Sequence, residues 1–391
     1  MTRRLKLLLA IAIIGLTLIG LFFFFLSQIE GNQISEGSFP SNQTLPIINS
    51  NGNTADSFST NANNSETETY NIRAISDQAV AGYYVINNDL ETRVRYIEQT
   101  TGNVYEYVLA NDSRNRLTST SLPRITSATW LGPETIMIKY DESGTNVNYL
   151  ANLDLSSGTL SGTIFPHNLL SITADPNNSE QILYLTENTF GGSNLYSYNT
   201  DSDENTFLQS FNLIWLELFS EMGEAANEVF AVSKPNENNA RQAIYRLTNN
   251  YRSARAVENA LRPQYGYIAK TDYHIGISDD LITTYDITTE QVASTELSTV
   301  GNKCGISPTV GDDIICAVLN RDYRNWPFNW YRGEIRPTET LVSINPDFGD
   351  FYSIIELGDE YDVSSVTVTN DYIYFIGRTT GQLFEVPRNN F

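Results

Sequence analysis

Few side chains in this chain could hold a soft metal or form a nucleophile and base pair. The 391 residues include two cysteines, Cys304 and Cys316, and two histidines, His167 and His274. This set is too small for most zinc, haem or iron–sulfur sites, which draw on several cysteine or histidine ligands. Each histidine is better interpreted as a turn or core residue than as a general base. The sequence therefore predicts no catalytic residue of this kind, no metal and no cofactor.

Known catalytic motifs are also missing from the sequence. The chain has no Gly-x-Ser-x-Gly elbow, no His-Glu-x-x-His motif, no P-loop and no Rossmann glycine pattern. One enzymatic hypothesis stays open, because two Asp or Glu side chains that face each other across a channel could hydrolyse glycosides. The amino-acid order alone does not show whether two carboxylates meet in that way.

The two cysteines lie on either side of a predicted tight turn around Gly311. Folding back about that turn brings Cys304 and Cys316 close together across a hairpin, so we expect a cross-strand disulfide in an exported protein. The alternative is a pair of buried free thiols that pack as small hydrophobic side chains.

The most unusual stretch is residues 321–336, RDYRNWPFNWYRGEIR, in which aromatic residues are interleaved with arginines. Such side chains are enriched at recognition surfaces, because they bury a large area at a low entropic cost. We therefore predict a binding loop whose candidate contact residues are Tyr323, Arg324, Trp326, Phe328, Trp330, Tyr331 and Arg332. The alternative is a loop that covers the mouth of a channel with its aromatic side chains packed inward.

These residues must be positioned by β-strands. From Tyr70 onward, short alternating apolar runs are separated by turn residues about every 8–12 positions, which is typical of all-β proteins. The clearest repeat pairs residues 96–106 with residues 375–385, and both predict a strand, a Thr-Thr-Gly turn and a second strand. Weaker repeats lie between them at an average spacing of about 45 residues. The predicted innermost strands lie near Val80, Ala128, Ile172, Trp215, Tyr267, Ile306 and Val366.

A four-stranded repeat of this length predicts a seven-bladed β-propeller over residues 70–391. The last repeat holds three strands, whereas residues 70–76 are left over before the first repeat. We expect this N-terminal strand to complete the last blade, because an open ring would expose two sheet edges. The alternative, two stacked β-sandwiches, would need a linker near the middle of the region, and none is evident.

The blades resemble those of bacterial WD40-like, YVTN-like and TolB-type propellers, and the layout is similar to membrane-anchored bacterial propellers of an uncharacterised family. The resemblance covers about residues 70–391, and the segments that carry it are 75–82, 95–98, 303–308, 315–318 and 329–333. A departure is the absence of the Trp-Asp dipeptide of WD40 blades. The resemblance implies the propeller fold and no particular activity.

The N-terminus predicts a membrane anchor. Between Leu7 and Leu26 no charged residue occurs, and about 20 such residues span a hydrocarbon core. The rival interpretation, a cleaved signal peptide, lacks a small-residue cleavage site. We therefore predict a cytoplasmic tip at residues 1–4, a transmembrane helix at 5–26 and, because residues 27–69 are rich in Asn, Ser, Thr and Gly, a flexible linker there.

Charge predicts the orientation of this anchor and the class of partner. Arg3, Arg4 and Lys6 lie at or before the start of the apolar run, so we expect a cytoplasmic N-terminus and an extracytoplasmic propeller at the cell membrane. The formal net charge of −22 at pH 7 disfavours nucleic-acid binding. Our leading hypothesis is a noncatalytic envelope protein that binds another envelope protein or a surface polymer. The alternative is a carboxylate-dependent hydrolase, similar to a glycosidase, that acts in the propeller channel.

Overall fold

The computed structural model describes residues 72–388, apart from 88–90, 120–121, 123, 215, 221–227, 234–242, 257–266, 270–272, 279–280, 287–291, 307–312 and 346–348. The chain divides into two units, Met1–Glu66 and Thr67–Phe391, and every described residue belongs to the second. The predicted anchor and linker lie outside the described residues. Within that described part, no helix is long and apolar enough to cross a membrane.

The described residues form antiparallel four-stranded sheets, one after another along the chain. A short strand, β1 (Arg73–Ala74), precedes the first sheet. Sheet 1 contains β2 (Val80–Asn87), β3 (Thr92–Glu98), β4 (Val104–Val108) and β5 (Ser113–Arg116). Sheet 2 contains β6 (Ile125–Trp130), β7 (Thr135–Glu142), β8 (Thr145–Asp154) and β9 (Thr159–Phe165). Sheet 3 contains β10 (Leu169–Asp175), β11 (Asn178–Glu187), β12 (Ser193–Asn199) and β13 (Asn205–Phe211).

Four further sheets follow the same pattern. Sheet 4 contains β14 (Leu216–Ser220), β15 (Val229–Ser233), β16 (Ile244–Thr248) and β17 (Ser253–Ala256). Sheet 5 contains β18 (Tyr267–Ala269), β19 (Tyr273–Ser278), β20 (Leu281–Asp286) and β21 (Val292–Ser298). Sheet 6 contains β22 (Cys304–Ile306), β23 (Ile314–Leu319), β24 (Glu339–Ile344) and β25 (Phe351–Leu357). Sheet 7 contains β26 (Val363–Val368), β27 (Tyr372–Gly377), β28 (Leu383–Pro387) and β1. One helical turn, α1 (Phe328–Tyr331), and two 3₁₀ turns, Leu109–Asn111 and Gly301–Lys303, complete the described elements.

The repeat found in the sequence corresponds to the same hairpin in two sheets. Residues 96–106 form the hairpin β3–β4 and residues 375–385 form β27–β28, and each hairpin supplies the two central strands of its sheet. Both turns place their glycine at positive φ, 68° for Gly102 and 72° for Gly381. In both, the glycine N–H donates to the carbonyl four residues earlier, at 2.8 Å to Glu98 and 2.7 Å to Gly377. Glycine is favoured at this position because a side chain would strain the left-handed backbone.

Successive side chains along each central strand point to opposite faces of its sheet, which explains how the sheets stack. On β7, Ile136 and Ile138 pack against sheet 1, whereas Met137 packs against sheet 3. Because both faces are covered, a central strand becomes apolar at successive positions, as in the IICAVL sequence of β23. Apolar clusters of this kind join sheets 1 and 2, 2 and 3, 3 and 4, 5 and 6, and 6 and 7.

The stack of sheets closes on itself. Tyr374 and Leu383 of sheet 7 share a buried cluster with Val94 and Tyr96 of sheet 1. The hydroxyl of Tyr83 on β2 also donates to the carbonyl oxygen of Tyr374 at 3.1 Å. Four-stranded sheets that pack face to face around a closed ring form a β-propeller, as predicted, and not the alternative of two stacked β-sandwiches.

The N-terminal strand completes the last sheet, as the sequence predicts. β1 pairs antiparallel with β28, with Arg73 opposite Glu385 and Ala74 opposite Phe384. The backbone N–H of Ile75 continues this pairing by donating to the carbonyl of Leu383 at 2.9 Å. Sheet 7 therefore combines strands from both ends of the described chain.

Candidate functional site

The predicted binding loop, residues 321–336, leaves β23 and returns as β24, the second and third strands of sheet 6. Its middle is the helical turn α1, in which the N–H of Tyr331 donates to the carbonyl of Pro327 at 3.0 Å and that of Arg332 to Phe328 at 3.0 Å. The turn ends at Gly333, which has a φ of 74°. The loop is thus an ordered connection with internal hydrogen bonds.

Two tryptophans anchor this loop in the interior. Trp326 is 7% exposed and Trp330 is 2% exposed, and the two pack with Val300 in one apolar cluster. Tyr323 packs against the same cluster, and its hydroxyl accepts a hydrogen bond from the N–H of Thr338 at 2.9 Å. For these three side chains the inward-packed alternative applies. The two tryptophans hold the loop in place and do not form its outer surface, whereas Tyr323 is half-buried.

A buried lysine lies beneath the tryptophans. Lys303, at the end of the 3₁₀ turn before β22, has no exposed surface. Its Nζ donates to Glu339 Oε1 at 2.5 Å, to Asp362 Oδ1 at 3.1 Å and to the carbonyl of Val363 at 2.8 Å. The ammonium group therefore has a partner for each of its three protons, which is the condition for keeping a charge inside a protein.

Trp330 connects this charged cluster to the loop. Its Nε1–H donates to Asp362 Oδ1 at 2.6 Å, and the Nζ of Lys303 lies 4.2 Å from the centroid of one of its rings. The guanidinium of Arg378 lies 4.3 Å from the ring centroid and donates to the carbonyl of Trp330 at 3.1 Å. Cation–π contacts at buried sites contribute about 2 kcal/mol. These contacts determine where α1 lies on sheets 6 and 7.

Burial controls the ionisation of Glu339. This carboxyl group is 1% exposed, and burial raises its pKa to about 7, while the nearby charge of Lys303 opposes the increase. Its other oxygen, Oε2, accepts the N–H of Val363 at 2.8 Å. Glu339 is therefore an enclosed carboxyl group whose hydrogen bonds are directed at protein groups.

The remaining predicted contact residues lie on the outside. Arg324 and Arg332 are exposed, Tyr331 is 43% exposed, and Phe328 is half-buried. Arg321 and Arg336 at the ends of the loop are also exposed. The structure thus buries Trp326 and Trp330 and exposes Arg324, Tyr331 and Arg332 among the predicted contact residues. We call the exposed arginines of the loop, together with Tyr331, the arginine rim: Arg321, Arg324, Tyr331, Arg332 and Arg336.

Cys304 and Cys316 lie directly opposite each other on β22 and β23 and form a disulfide. Both belong to the apolar cluster between sheets 5 and 6, together with Ile282 and Val318. This bond joins the strand that follows Lys303 to the strand that leads into the loop. It belongs to the base of the site and not to the arginine rim.

Four residues of this cluster, Lys303, Glu339, Asp362 and Arg378, have no role that the amino-acid order predicts. The signal for Lys303 is a cation directly before an apolar strand in a chain with few lysines, and Glu339 is an acid at the start of another such strand. Neither position indicates its partner, because Lys303 is 36 residues from Glu339 and 59 residues from Asp362. The folding of sheet 6 brings Lys303 to Glu339, and the packing of sheet 6 on sheet 7 brings it to Asp362.

No protein-family model and no curated protein matches this chain. Among solved structures, the extracellular domain of a proposed one-component system of B. thetaiotaomicron is similar, with a TM-score of 0.52 and 12% identity over 82% of this chain and 40% of that one. A puromycin-hydrolysing peptidase of Mycobacterium tuberculosis has a TM-score of 0.48 and 10% identity, over 78% of this chain and 51% of that one. The β-propeller domain of the Trilobed protease from Pyrococcus furiosus has a TM-score of 0.47 and 11% identity, over 78% of this chain and 93% of that one.

This chain therefore spans about half, or less, of the first two proteins. At 12% identity, the similarity to the B. thetaiotaomicron domain concerns the fold alone. It agrees with the closed ring of four-stranded sheets described above.

Proposed function

We propose that this chain is a noncatalytic binding protein of the cell envelope, built on a seven-bladed β-propeller. In this proposal each four-stranded sheet is one blade, and β1 completes the seventh. The closed packing of sheet 7 on sheet 1 supports this count, because it leaves no gap for a further blade at that seam.

In the same proposal, a transmembrane helix within residues 5–26 holds the propeller outside the cytoplasm. The cations Arg3, Arg4 and Lys6 support a cytoplasmic N-terminus. The disulfide between Cys304 and Cys316 supports an oxidising compartment, since structural disulfides are rare in the cytosol.

The observation that carries the binding proposal is the rigid anchoring of the arginine rim. Trp326 and Trp330 are buried over Lys303, while Arg324, Tyr331 and Arg332 lie at the surface of the same loop. A preformed surface binds with a smaller entropic loss than a flexible loop. The chain as a whole has a formal net charge of −22 at pH 7, so this local group of arginines stands out and favours an anionic patch on an envelope protein or an anionic surface polymer.

The hydrolase hypothesis receives less support from the same cluster. Glu339 and Asp362 both bind the ammonium group of Lys303, at 2.5 Å and 3.1 Å. They are 1% and 4% exposed, and Trp330 donates to Asp362. A glycosidase needs two carboxyl groups that reach the substrate and water. These two are enclosed, so they act as structural groups.

Site-specific crosslinking in cells tests the binding proposal. A photoreactive amino acid replaces Tyr331 in the full-length chain, and a matched chain carries it at Tyr352, which is also 43% exposed but lies on β25. We expect an adduct from position 331 that is absent from position 352. Arg324→Ala combined with Arg332→Ala should reduce its yield about tenfold or more, since interface arginines often contribute over 1.4 kcal/mol.

An equivalent pair of surface arginines provides the control. Arg252→Ala with Arg255→Ala removes two exposed arginines of sheet 4 and should leave the adduct unchanged. Identical adducts from positions 331 and 352, or a yield that does not respond to the loss of Arg324 and Arg332, would contradict the proposal.

A further inference from the structure

A groove lies at the seam between sheets 2 and 3. It is formed by residues 166–212, whereas the arginine rim belongs to sheet 6. The floor of the groove is the face of sheet 3 that points toward sheet 2. The inner part of this face is covered, because the ring of Phe165 packs edge-on against Tyr184 at 5.1 Å and against Tyr198 at 5.0 Å. The outer part is uncovered, and the open volume is about 720 Å³. This is the size range of ligand pockets, about 300–1,000 Å³.

Three aromatic rings cross the floor of the groove on neighbouring strands. Tyr184 on β11 is opposite Tyr196 on β12, and Tyr196 is opposite Phe207 on β13. The two tyrosine rings stack at 5.2 Å, and Phe207 meets Tyr196 edge-on at 5.6 Å. Exposure increases outward from 2% at Tyr184 to 49% at Phe207. The result is a continuous aromatic strip that is open at its outer end.

A fixed turn carries a fourth aromatic ring beside this strip. The side-chain oxygen of Asn188 accepts the N–H groups of Phe190 and Gly192, each at 2.9 Å. The backbone closes the same turn, since the N–H of Asn188 donates to the carbonyl of Gly192 at 2.9 Å. A side chain at Gly192 would place its Cβ 2.1 Å from the carbonyl oxygen of Phe211. Phe190 is nevertheless 96% exposed, so the turn presents a phenyl ring that covers none of the described residues.

Neutral polar groups surround the aromatic rings. Asn194 Oδ1 accepts the hydroxyl of Ser210 at 2.8 Å, and Asn205 Nδ2 donates to the hydroxyl of Tyr184 at 2.7 Å. Among the described residues, none hydrogen-bonds to Asn194 Nδ2 or Asn205 Oδ1, so the two N–H groups of one amide and the oxygen of another can bind a ligand. The amide side chains that line the groove are Asn168, Asn188, Asn194, Asn205 and Asn212.

Charge is almost absent from this lining. Within the part of the chain that the structure describes, Glu187 is the one carboxylate that lines the groove, and no lysine or arginine lines it. An anionic ligand would find no counter-charge there, and a nucleic acid is disfavoured for the same reason. A purely apolar ligand would leave several amides without partners, which is unfavourable. A peptide strand would pair with a sheet edge, whereas this groove lies on a sheet face.

A sugar chain matches each of these features. Its rings have C–H faces that pack on aromatic side chains, and its hydroxyl groups both donate and accept hydrogen bonds as amides do. We propose that the groove formed by Tyr184, Tyr196, Phe207 and Phe190 is a binding site for a neutral oligosaccharide. This site is separate from the arginine rim, and its occupant does not depend on the partner proposed there.

Calorimetric titration of the full-length chain tests this site. The probes are maltohexaose, cellohexaose, mannohexaose and chitin hexasaccharide, in a detergent that has no sugar headgroup. We expect at least one probe to bind the wild type. Phe190→Ala and Phe207→Ala should each weaken that binding about tenfold, because each removes one exposed stacking ring. Both side chains are largely exposed, so neither change removes core packing.

Phe351→Ala is the matched control. Phe351 is 44% exposed on the outer strand β25 of sheet 6 and should leave sugar affinity unchanged. The proposal is overturned if no hexasaccharide binds up to its solubility limit. It is also overturned if the Phe207 and Phe351 variants weaken binding equally, because the site would then lie elsewhere. Failure of the crosslinking experiment at Tyr331 would leave this result unaffected.

Discussion

Lys303 shows how one side chain can determine the placement of a surface loop. A buried ammonium group must be paired, and here two carboxylates, one carbonyl and the rings of Trp330 surround it. Buried ion pairs contribute little net stability compared with an apolar core, whereas removal of one partner costs about 3–5 kcal/mol. We therefore infer that the cluster specifies the position of α1 more than it increases overall stability.

A pH dependence follows from Glu339. Its pKa in the folded chain is raised to about 7 from an ordinary value of 4.5. A group with a raised pKa stabilises the folded state most below its unfolded pKa, and that contribution is lost as the pH rises through about 7. We expect the unfolding free energy of the wild type, relative to Glu339→Gln, to fall by roughly 1–3 kcal/mol between about pH 5 and pH 8.

Denaturant unfolding of both chains at several pH values measures this difference. Taking the difference between the two chains removes the contributions of other titrating groups, among them Asp154, whose pKa is lowered by hydrogen bonds from Ser156 and Ser157. A difference that stays constant with pH would mean that Glu339 titrates as in the unfolded chain. A difference that grows in favour of the wild type would mean that Lys303 outweighs burial.

At the scale of elements, the hairpin β22–β23 carries the base of the loop. Cys304 and Cys316 are opposite each other in this hairpin and are separated by 12 positions. A disulfide that closes so short a segment stabilises a protein by about 3 kcal/mol. Reduction of the wild type should lower its unfolding free energy by about that amount.

Thermal or denaturant unfolding with and without reductant checks this expectation. The double variant Cys304→Ala with Cys316→Ala is the control, and reductant should not alter its stability. If reductant destabilised the variant and the wild type equally, the effect would not come from this bond.

At the scale of the whole molecule, the ring depends on a strand of two residues. β1 pairs with β28, and Arg73 forms an ion pair with Glu385, which is 2% exposed. A chain that begins at residue 77 would leave this carboxylate unpaired and the edge of β28 open. We expect it to lose about 3–5 kcal/mol of unfolding free energy and to self-associate.

The matched control begins at residue 67, the start of the second unit, and retains β1. Comparing the two truncated chains by denaturant unfolding and by sedimentation separates the loss of β1 from the loss of the N-terminal segment. Equal stability and equal mass in solution would show that β1 is not needed to close the ring.

The positions of the strands, the glycine turns and the pairing of the N-terminal strand β1 could all be predicted from the amino-acid order. The alternation of apolar residues and the Thr-Thr-Gly turns are local features, and they placed the first strand of each sheet near residues such as Val80, Ala128 and Ile306. The leftover N-terminal segment predicted the pairing of β1 with β28, because an open ring would expose two sheet edges.

Tertiary structure alone decided which chemistry lies inside and which lies outside. Nothing local in the loop distinguishes Trp330, which is 2% exposed, from Tyr331, which is 43% exposed. Likewise, the partners of Lys303 come from positions far apart in the chain, and the aromatic strip of sheet 3 forms only where β11, β12 and β13 pair in register. The physical reason is that the alternation of apolar residues along a strand is a local feature. Burial, ion pairing and groove shape depend instead on how strands pair and how sheets pack against one another.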